Sequence, residues 1–493
     1  MNVAEQTVTL SELQAKEVDD EVEIRPPIVD RTREDRFTVE EAIDQLGFGP
    51  FQLWLSFLTG LAWMADAMEM MILSILGPEL SCKWRLTSLQ EASITTVVFL
   101  GMGITAPLWG KMCDLYGRKF GMVLSSFLTF YFGFLSSFSP HLIWMFLLRG
   151  LTGASIGGAS QSVTIYIEFL PLKYRAKAIV FLEVFWGIGS CFALLVAIPV
   201  MPTLGWRYQL IICSMPLLIF TLLCYWLPES PHYYIASGQK DKAISTIECV
   251  AKINRRPMPL GELVSSKFAE KRGCFGDLFD SKQRRTTFLL FIIWFVCAFA
   301  YYGIVLATTE IYKSIAESGG QCVSHYQGEV SERSCAAKCA LLTTSDYLDT
   351  LFTSFSEFPG LLLTVVFIDL IGRRWTMFGG FFLFFVFSLL FLICMPKALI
   401  TVCIFIVRAL ISGVFQAVFV YTPEVYPTAV RAIGLGTCSG LARVGALLTP
   451  LVAQVLLKIS INSAVLVYAF TALIAAFSAI LLPIETKGRS IDS

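Results

Sequence analysis

The chain of 493 residues is 55% hydrophobic and only 15% charged, with a mean hydropathy of +0.67. A water-soluble domain carries roughly 45–50% apolar and about 25% charged residues, so this apolar excess has to face lipid. Lys plus Arg and Asp plus Glu are equal at 38 each. That balance excludes a whole-molecule basic surface for nucleic acid and a chain kept disordered by its own charge.

Residues 1–50 hold 13 acids, 5 bases and no apolar stretch, so they read as an acidic, partly disordered tail without a secretory signal peptide. Beyond them, apolar runs recur at about 20 residues, the length a helix needs to cross ~30 Å of hydrocarbon. Twelve are expected: 51–77, 91–111, 119–139, 142–168, 178–200, 207–227, 286–309, 347–368, 375–395, 398–422, 432–456 and 463–482. A transmembrane barrel would show short alternating segments instead. The predicted fold is an all-α membrane protein of two six-helix halves, 51–228 and 286–484. A linker at 229–285 joins them, carrying 11 bases and 7 acids and reading as a membrane-surface helical segment. An outer loop at 310–345 and a short tail at 485–493 complete the division. The Phe-rich stretch 381–391 is expected to face lipid.

Short connections set the orientation, because Lys and Arg stay on the cytoplasmic side. With the amino-terminus inside, inner connections hold 22 bases and outer ones 8. Both termini are therefore expected in the cytoplasm.

Three motifs recur in order, at an offset of 255 or 256 residues. Gly110-Lys-Met-Cys-Asp114-Leu-Tyr-Gly117-Arg118-Lys119 matches Asp369-Leu-Ile-Gly372-Arg373-Arg374, with Val365 where the first glycine would fall. Glu168-Phe-Leu-Pro171-Leu-Lys-Tyr-Arg175 matches Glu424-Val-Tyr-Pro427-Thr-Ala-Val-Arg431. Pro228-Glu229-Ser230-Pro231 matches Pro483-Ile-Glu485-Thr-Lys-Gly-Arg489. Head-to-tail repetition of this kind is the signature of secondary transporters. Asp114 and Asp369 can cap the next helix or pair with a base, while Gly110 and Gly117 permit a tight turn and close helix approach. Glu168, Glu229, Arg118 and Arg175 are expected to form an inner ion-pair cluster that opens and closes as the halves rock. Arg373, Glu424 and Arg431 are their counterparts.

These motifs, with the Arg149-Gly150 pair in span 4, resemble the major facilitator superfamily over residues 51 to about 490. Trp63-Met-Ala-Asp66-Ala-Met-Glu69 is similar to the synaptic-vesicle-2-related branch, and Ala442-Arg443-Val-Gly445 to organic anion transporters of a sister branch. The resemblance implies the twelve-helix fold, alternating access, and a vesicle or plasma membrane as host.

The charges left inside the spans are the bases Arg149, Arg408 and Arg443 and the acids Asp66, Glu69, Glu183 and Glu357. Each costs ~2.5–3.5 kcal/mol at the bilayer centre and needs a partner or a wet cavity. Helix rise puts Arg149 ~12 Å and Asp66 ~16 Å from the outer surface, at similar heights. The expected pair is Asp66 with Arg149, coupling transport to protons or fixing the half, and the resemblance to proton-linked sugar porters implies the same. Arg443 lies ~16 Å deep among glycines and offers a planar donor fork to an anion. Glu357 lies at a similar depth and pairs with Arg443 or with Arg408; in the second case Arg443 is free. Trp186, three residues from Glu183, shares its face. Tyr301, Tyr302 and Gln416 complete the expected cavity.

Of 14 cysteines, Cys82, Cys322, Cys335 and Cys339 fall in outer segments and allow three pairings, with a disulfide inside the 310–345 loop expected. Cys335-x-x-x-Cys339 has only His325 nearby, so no metal is expected there. No cofactor, phosphate loop or catalytic constellation is recognised, so transport rather than enzymatic chemistry is expected, in a monomer and without ATP. The expected cargo is a small organic anion, with protons as a possible co-substrate. An organic cation or zwitterion held by Asp66, Glu69 or Glu183 is the first alternative, and a non-transporting vesicle protein that binds partners is the second.

Overall fold

A computed structural model describes residues 36–264, 274–317 and 341–487. Among the described residues it contains twelve helices long and apolar enough to cross a membrane. They are Pro50–Trp84, Ser88–Tyr116, Arg118–Ser136, Leu142–Glu168, Leu172–Thr203 and Trp206–Trp226 in the first half. Arg284–Ile315, Thr344–Ile371, Arg373–Leu392, Lys397–Val425, Ile433–Ile459 and Ile461–Leu481 form the second. We number them spans 1 to 12. The side on which the described chain starts and ends is the terminal face, and the opposite side the distal face.

Helix ends follow local chemistry. Pro50 opens span 1, where its missing N–H costs nothing. Thr87 and Gln90 close a capping box on span 2, and Thr343 and Asp346 do so on span 8. Gly117 and Gly372 begin spans 3 and 9 at φ +107° and +93°, a backbone region that favours glycine. Several spans outrun the apolar runs. Span 1 continues to Trp84 rather than stopping near Gly77, and span 7 runs from Arg284 to Ile315. Span 11 contains a π-helical stretch, Leu451–Leu456.

One sequence expectation needs correction here, and another gains detail. The described part of the acidic tail is ordered. Arg36–Phe37 pairs in parallel with Glu262–Leu263 of the linker, and Val39–Leu46 is a helix capped by Thr38. This helix has an amphipathic pattern that buries Val39, Ala42, Ile43 and Leu46, against a core shared with Ala243, Ile247 and Val250 of the linker helix Lys240–Asn254. Asn254 then donates to Gln52 Oε1 (2.8 Å) and accepts from the Phe51 N–H (3.1 Å), fixing the start of span 1. The Phe-rich stretch is not simply lipid-facing. Phe381 and Phe384 are buried while Phe382 is exposed, because one face of span 9 packs on its neighbours and only the other meets lipid.

Candidate functional site

On the terminal face the repeated motifs build the same device twice. The first N–H groups of a helix have no intrahelical partner and form a positive end. Glu229 Oε1 accepts from the N–H groups of Arg118 (2.9 Å) and Lys119 (3.1 Å) at the start of span 3. Glu485 accepts from those of Arg373 (2.9 Å) and Arg374 (3.0 Å) at the start of span 9. A Cβ at Gly117 would collide with the Glu229 carboxylate, and one at Gly372 would lie 2.8 Å from that of Glu485. Burial pushes the Glu229 carboxyl above the ordinary glutamate range, against the three backbone hydrogen bonds that pull it down. Arg118 reaches Asp114 (2.6 Å) and Glu168 (3.5 Å). Arg373 reaches Glu424 (3.1 Å) and, more loosely, Asp369 (3.7 Å).

Of the two roles open to Asp114 and Asp369, both pair with bases, and the helix-capping acids are Glu229 and Glu485. Other parts of the expected cluster differ. Arg175 bonds the Leu170 carbonyl, and neither it nor Arg431 makes an ion pair among the described residues. A Cβ at Gly110 would meet nothing within 4 Å, so no close approach depends on that glycine. Among the described residues, the ion pairs of each motif stay inside one half.

Within the bilayer, two buried arginines are held by one acid each. Arg149 of span 4, fully buried, pairs with Glu69 of span 1. The expected Asp66–Arg149 pair does not form. Glu69, one turn nearer the distal end of span 1 than Asp66, is the acid that meets Arg149. In the second half Arg408 donates through Nε (3.0 Å) and Nη2 (2.8 Å) to Glu357 Oε1. Of the two partners open to Glu357, the structure uses Arg408, and Arg443 makes no ion pair among the described residues. The Tyr301 hydroxyl also donates to Glu357 Oε1 (2.9 Å), and accepts from the Trp186 indole (2.5 Å). A continuous hydrogen-bonded chain thus runs from span 5 of the first half to spans 7, 8 and 10 of the second.

Between the halves lies a partly open pocket. Asp66, Glu183 and Arg443 supply its charges, and Trp63, Trp186, Trp294, Tyr301, Tyr302 and Phe415 much of its wall. Asp66 is buried and its Oδ1 has no hydrogen-bond partner among the described residues. Glu183 stands beside the Trp63 indole and the Gln416 amide. The Arg443 guanidinium rests on Met102 Sδ of span 2 and against Tyr302. All six residues expected to touch cargo line this one space. Trp63, Trp294, Phe415 and Ser439 were missed, although Trp63 precedes Asp66 by three positions and Ser439 precedes Arg443 by four, the spacings that share a helix face.

Near the distal face lies a charge cluster that the apolar runs cut off. Lys458 of span 11 bonds Glu91 of span 2 (2.5 Å) and Glu310 of span 7 (3.3 Å). Both acids are buried. It joins the halves, as does the Thr309 hydroxyl donating to the Ser74 carbonyl (2.9 Å). Cys82 and Cys394 are each disulfide-bonded. The apolar run 375–395 includes Cys394, but the helix ends at Leu392 and leaves it in the distal connection. Cys322, Cys335 and Cys339 lie outside the described residues.

Comparison with known proteins agrees with this architecture. Residues 64–330 match the family described as sugar (and other) transporter, and residues 342–492 the one described as Major Facilitator Superfamily. The chain is 52% identical over 482 residues to the synaptic vesicle 2-related protein of Xenopus laevis, covering 98% of this chain and 87% of that one. It is 36% identical to organic cation/carnitine transporter 7 of Arabidopsis thaliana, covering 92% of this chain and 96% of that one. The fold is similar to the inward-open xylose transporter XylE of E. coli, with a TM-score of 0.65 at 14% identity, covering 89% and 98% of the two chains.

Proposed function

Because the chain belongs to the major facilitator superfamily, we propose that it is a secondary transporter of small zwitterions or organic cations that works by alternating access. The observation that carries this reading is one guanidinium and two carboxylates facing one aromatic-walled cavity. The organic-anion expectation rested on Arg443, which keeps its role as a receiver of a carboxylate by charge-assisted hydrogen bonds. Asp66 and Glu183 add two acceptors for a positive group. Trp63, Trp186 and Tyr302 add the ring faces on which an ammonium is attracted. The name of the plant relative, an organic cation/carnitine transporter, points the same way.

Proton coupling is assigned to Asp66. Glu69 and Glu357 are held in ion pairs by Arg149 and Arg408, whereas Asp66 makes no ion pair among the described residues and faces the cavity. A proton there removes the cost of an unpaired carboxylate in an empty cavity. An organic anion is the second reading, favoured if Asp66 and Glu183 are both protonated and Arg443 is the sole charge. The terminal face is assigned to the cytoplasm from the excess of bases in its connections, and the host membrane to a vesicle or the cell surface.

Uptake by the purified chain in proteoliposomes tests this, using trimethylammonium carboxylates, simple quaternary ammonium ions and dicarboxylates, with and without a proton gradient. Uptake of the first two classes, lost in Arg443→Ala for the zwitterion and in Asp66→Asn for both, supports the proposal. Uptake of dicarboxylates alone, or of nothing in the panel, overturns it.

A further inference from the structure

Glu91 and Glu310 belong to different halves, and their carboxyl groups lie within hydrogen-bonding reach of each other. Both are buried, at 0% and 3% exposure. Lys458 bonds the Oε2 atom of each, while Glu91 Oε1 and Glu310 Oε1 are buried without a hydrogen-bond partner among the described residues. The remaining neighbours are few. Gly77 of span 1 presents bare backbone, where a Cβ would lie 2.8 Å from Glu91 Oε1 and 3.2 Å from the Gln454 amide nitrogen. Gln454 is neutral and sits in the π-helical stretch of span 11, a distortion that often marks a functional position. Lys313, one turn beyond Glu310, adds positive charge at longer range but makes no ion pair among the described residues. Glu79 is taken by Lys83 (2.8 Å).

Two carboxylates in contact cannot both keep their charge cheaply in a low-dielectric site. One ammonium neutralises one of them. A single proton on the other supplies the missing donor between two acceptor-only groups, leaves the lysine and its two acids neutral together, and satisfies the orphaned oxygens.

We propose that Glu91 and Glu310 share a proton that latches the two halves at the distal face. Its ligand is a proton from the vesicle lumen or exterior, at a site separate from the substrate cavity. Loss of that proton sets two touching carboxylates against each other across the interface, so the distal side opens as the pH on that side rises. Acid holds it shut.

The experiment reads the separation of the halves without needing a substrate. In the full chain in lipid nanodiscs, spin labels are placed at Thr203→Cys and Asn462→Cys, both exposed at the distal ends of opposite halves. The exposed thiols Cys249 and Cys274 are replaced by serine. As the pH rises from about 5 to about 9, the ratio of long to short distances is expected to grow, by no more than about tenfold per pH unit, the limit for one proton. Glu91→Gln and Glu310→Gln, made separately, each mimic the protonated acid and are expected to hold the short distance at every pH. A distance distribution that ignores pH in the parent overturns the proposal. So does a pH response that survives in both variants, or one produced by sodium at fixed pH and not by protons.

Discussion

Glu69 holds the Arg149 guanidinium, and Asp66, one helical turn earlier on the same span, is left facing the cavity. Two acids three residues apart therefore do different work. Removing Glu69 strands a fully buried arginine, and breaking a buried pair in this way costs about 3–5 kcal/mol. Glu69→Gln is expected to lower the melting temperature and the yield of folded protein sharply, whereas Asp66→Asn is expected to leave both nearly unchanged. Thermal unfolding of the two purified variants checks this. Equal losses would mean that Asp66 is structural as well.

Among the described residues Arg443 has no ion-paired carboxylate to strand, so its removal should spare the fold. Arg443→Ala is expected to weaken binding of a zwitterion by about 1.5–3 kcal/mol, the worth of hydrogen bonds to a charged group, and to leave the melting temperature unchanged. Arg443→Lys should recover only part of the loss, because a point charge does not reproduce a planar fork. Ligand-induced shifts in melting temperature, read alongside uptake, separate affinity from folding.

Tyr301 is the link between Trp186 and the Glu357–Arg408 pair. Tyr301→Phe keeps the ring but removes the hydroxyl that serves both neighbours. It leaves the indole N–H unpaired at the cavity wall, at a cost of about 1–3 kcal/mol. The fold should survive with a lower melting temperature. Trp186 fluorescence should also change, since its N–H loses its acceptor. An unaltered spectrum would deny that this bond exists in the membrane.

The Glu229 carboxyl carries a pH dependence whose direction follows from burial. A carboxyl whose pKa is raised on folding holds its proton more tightly in the folded chain. Its contribution to stability is therefore present below the unfolded value and is lost as the pH climbs through the folded one. Measured against Glu229→Gln, the parent's melting temperature is expected to fall as the pH rises out of the ordinary glutamate range. A parallel pair of curves would contradict this.

The twelve spans, the two halves and the terminal-face motifs were legible because length, hydropathy and an offset repeat are properties of the chain alone. The partner of Arg149 was not, because Asp66 and Glu69 share a helix face and only the packing of span 1 on span 4 decides which of them meets the guanidinium. The same blindness hid Lys458, Glu91 and Glu310. Each sits at the edge of an apolar run, where a buried charge and a solvated one look alike until the neighbouring halves are in place. Arg443 was found because it interrupts its run in the middle. Its acidic company across the cavity was not, because Asp66, Glu183 and Arg443 come from three spans in two halves, and proximity of that kind leaves no local pattern.

The short strand pairing of Arg36–Phe37 with Glu262–Leu263 joins a segment just before span 1 to one that follows span 6. The chain entering the first half and the chain leaving it are thereby moored at one knot, with Asn254 as the pin. The first half is gathered at both of its ends on the terminal face, and cutting the mooring would free its entry and its exit together.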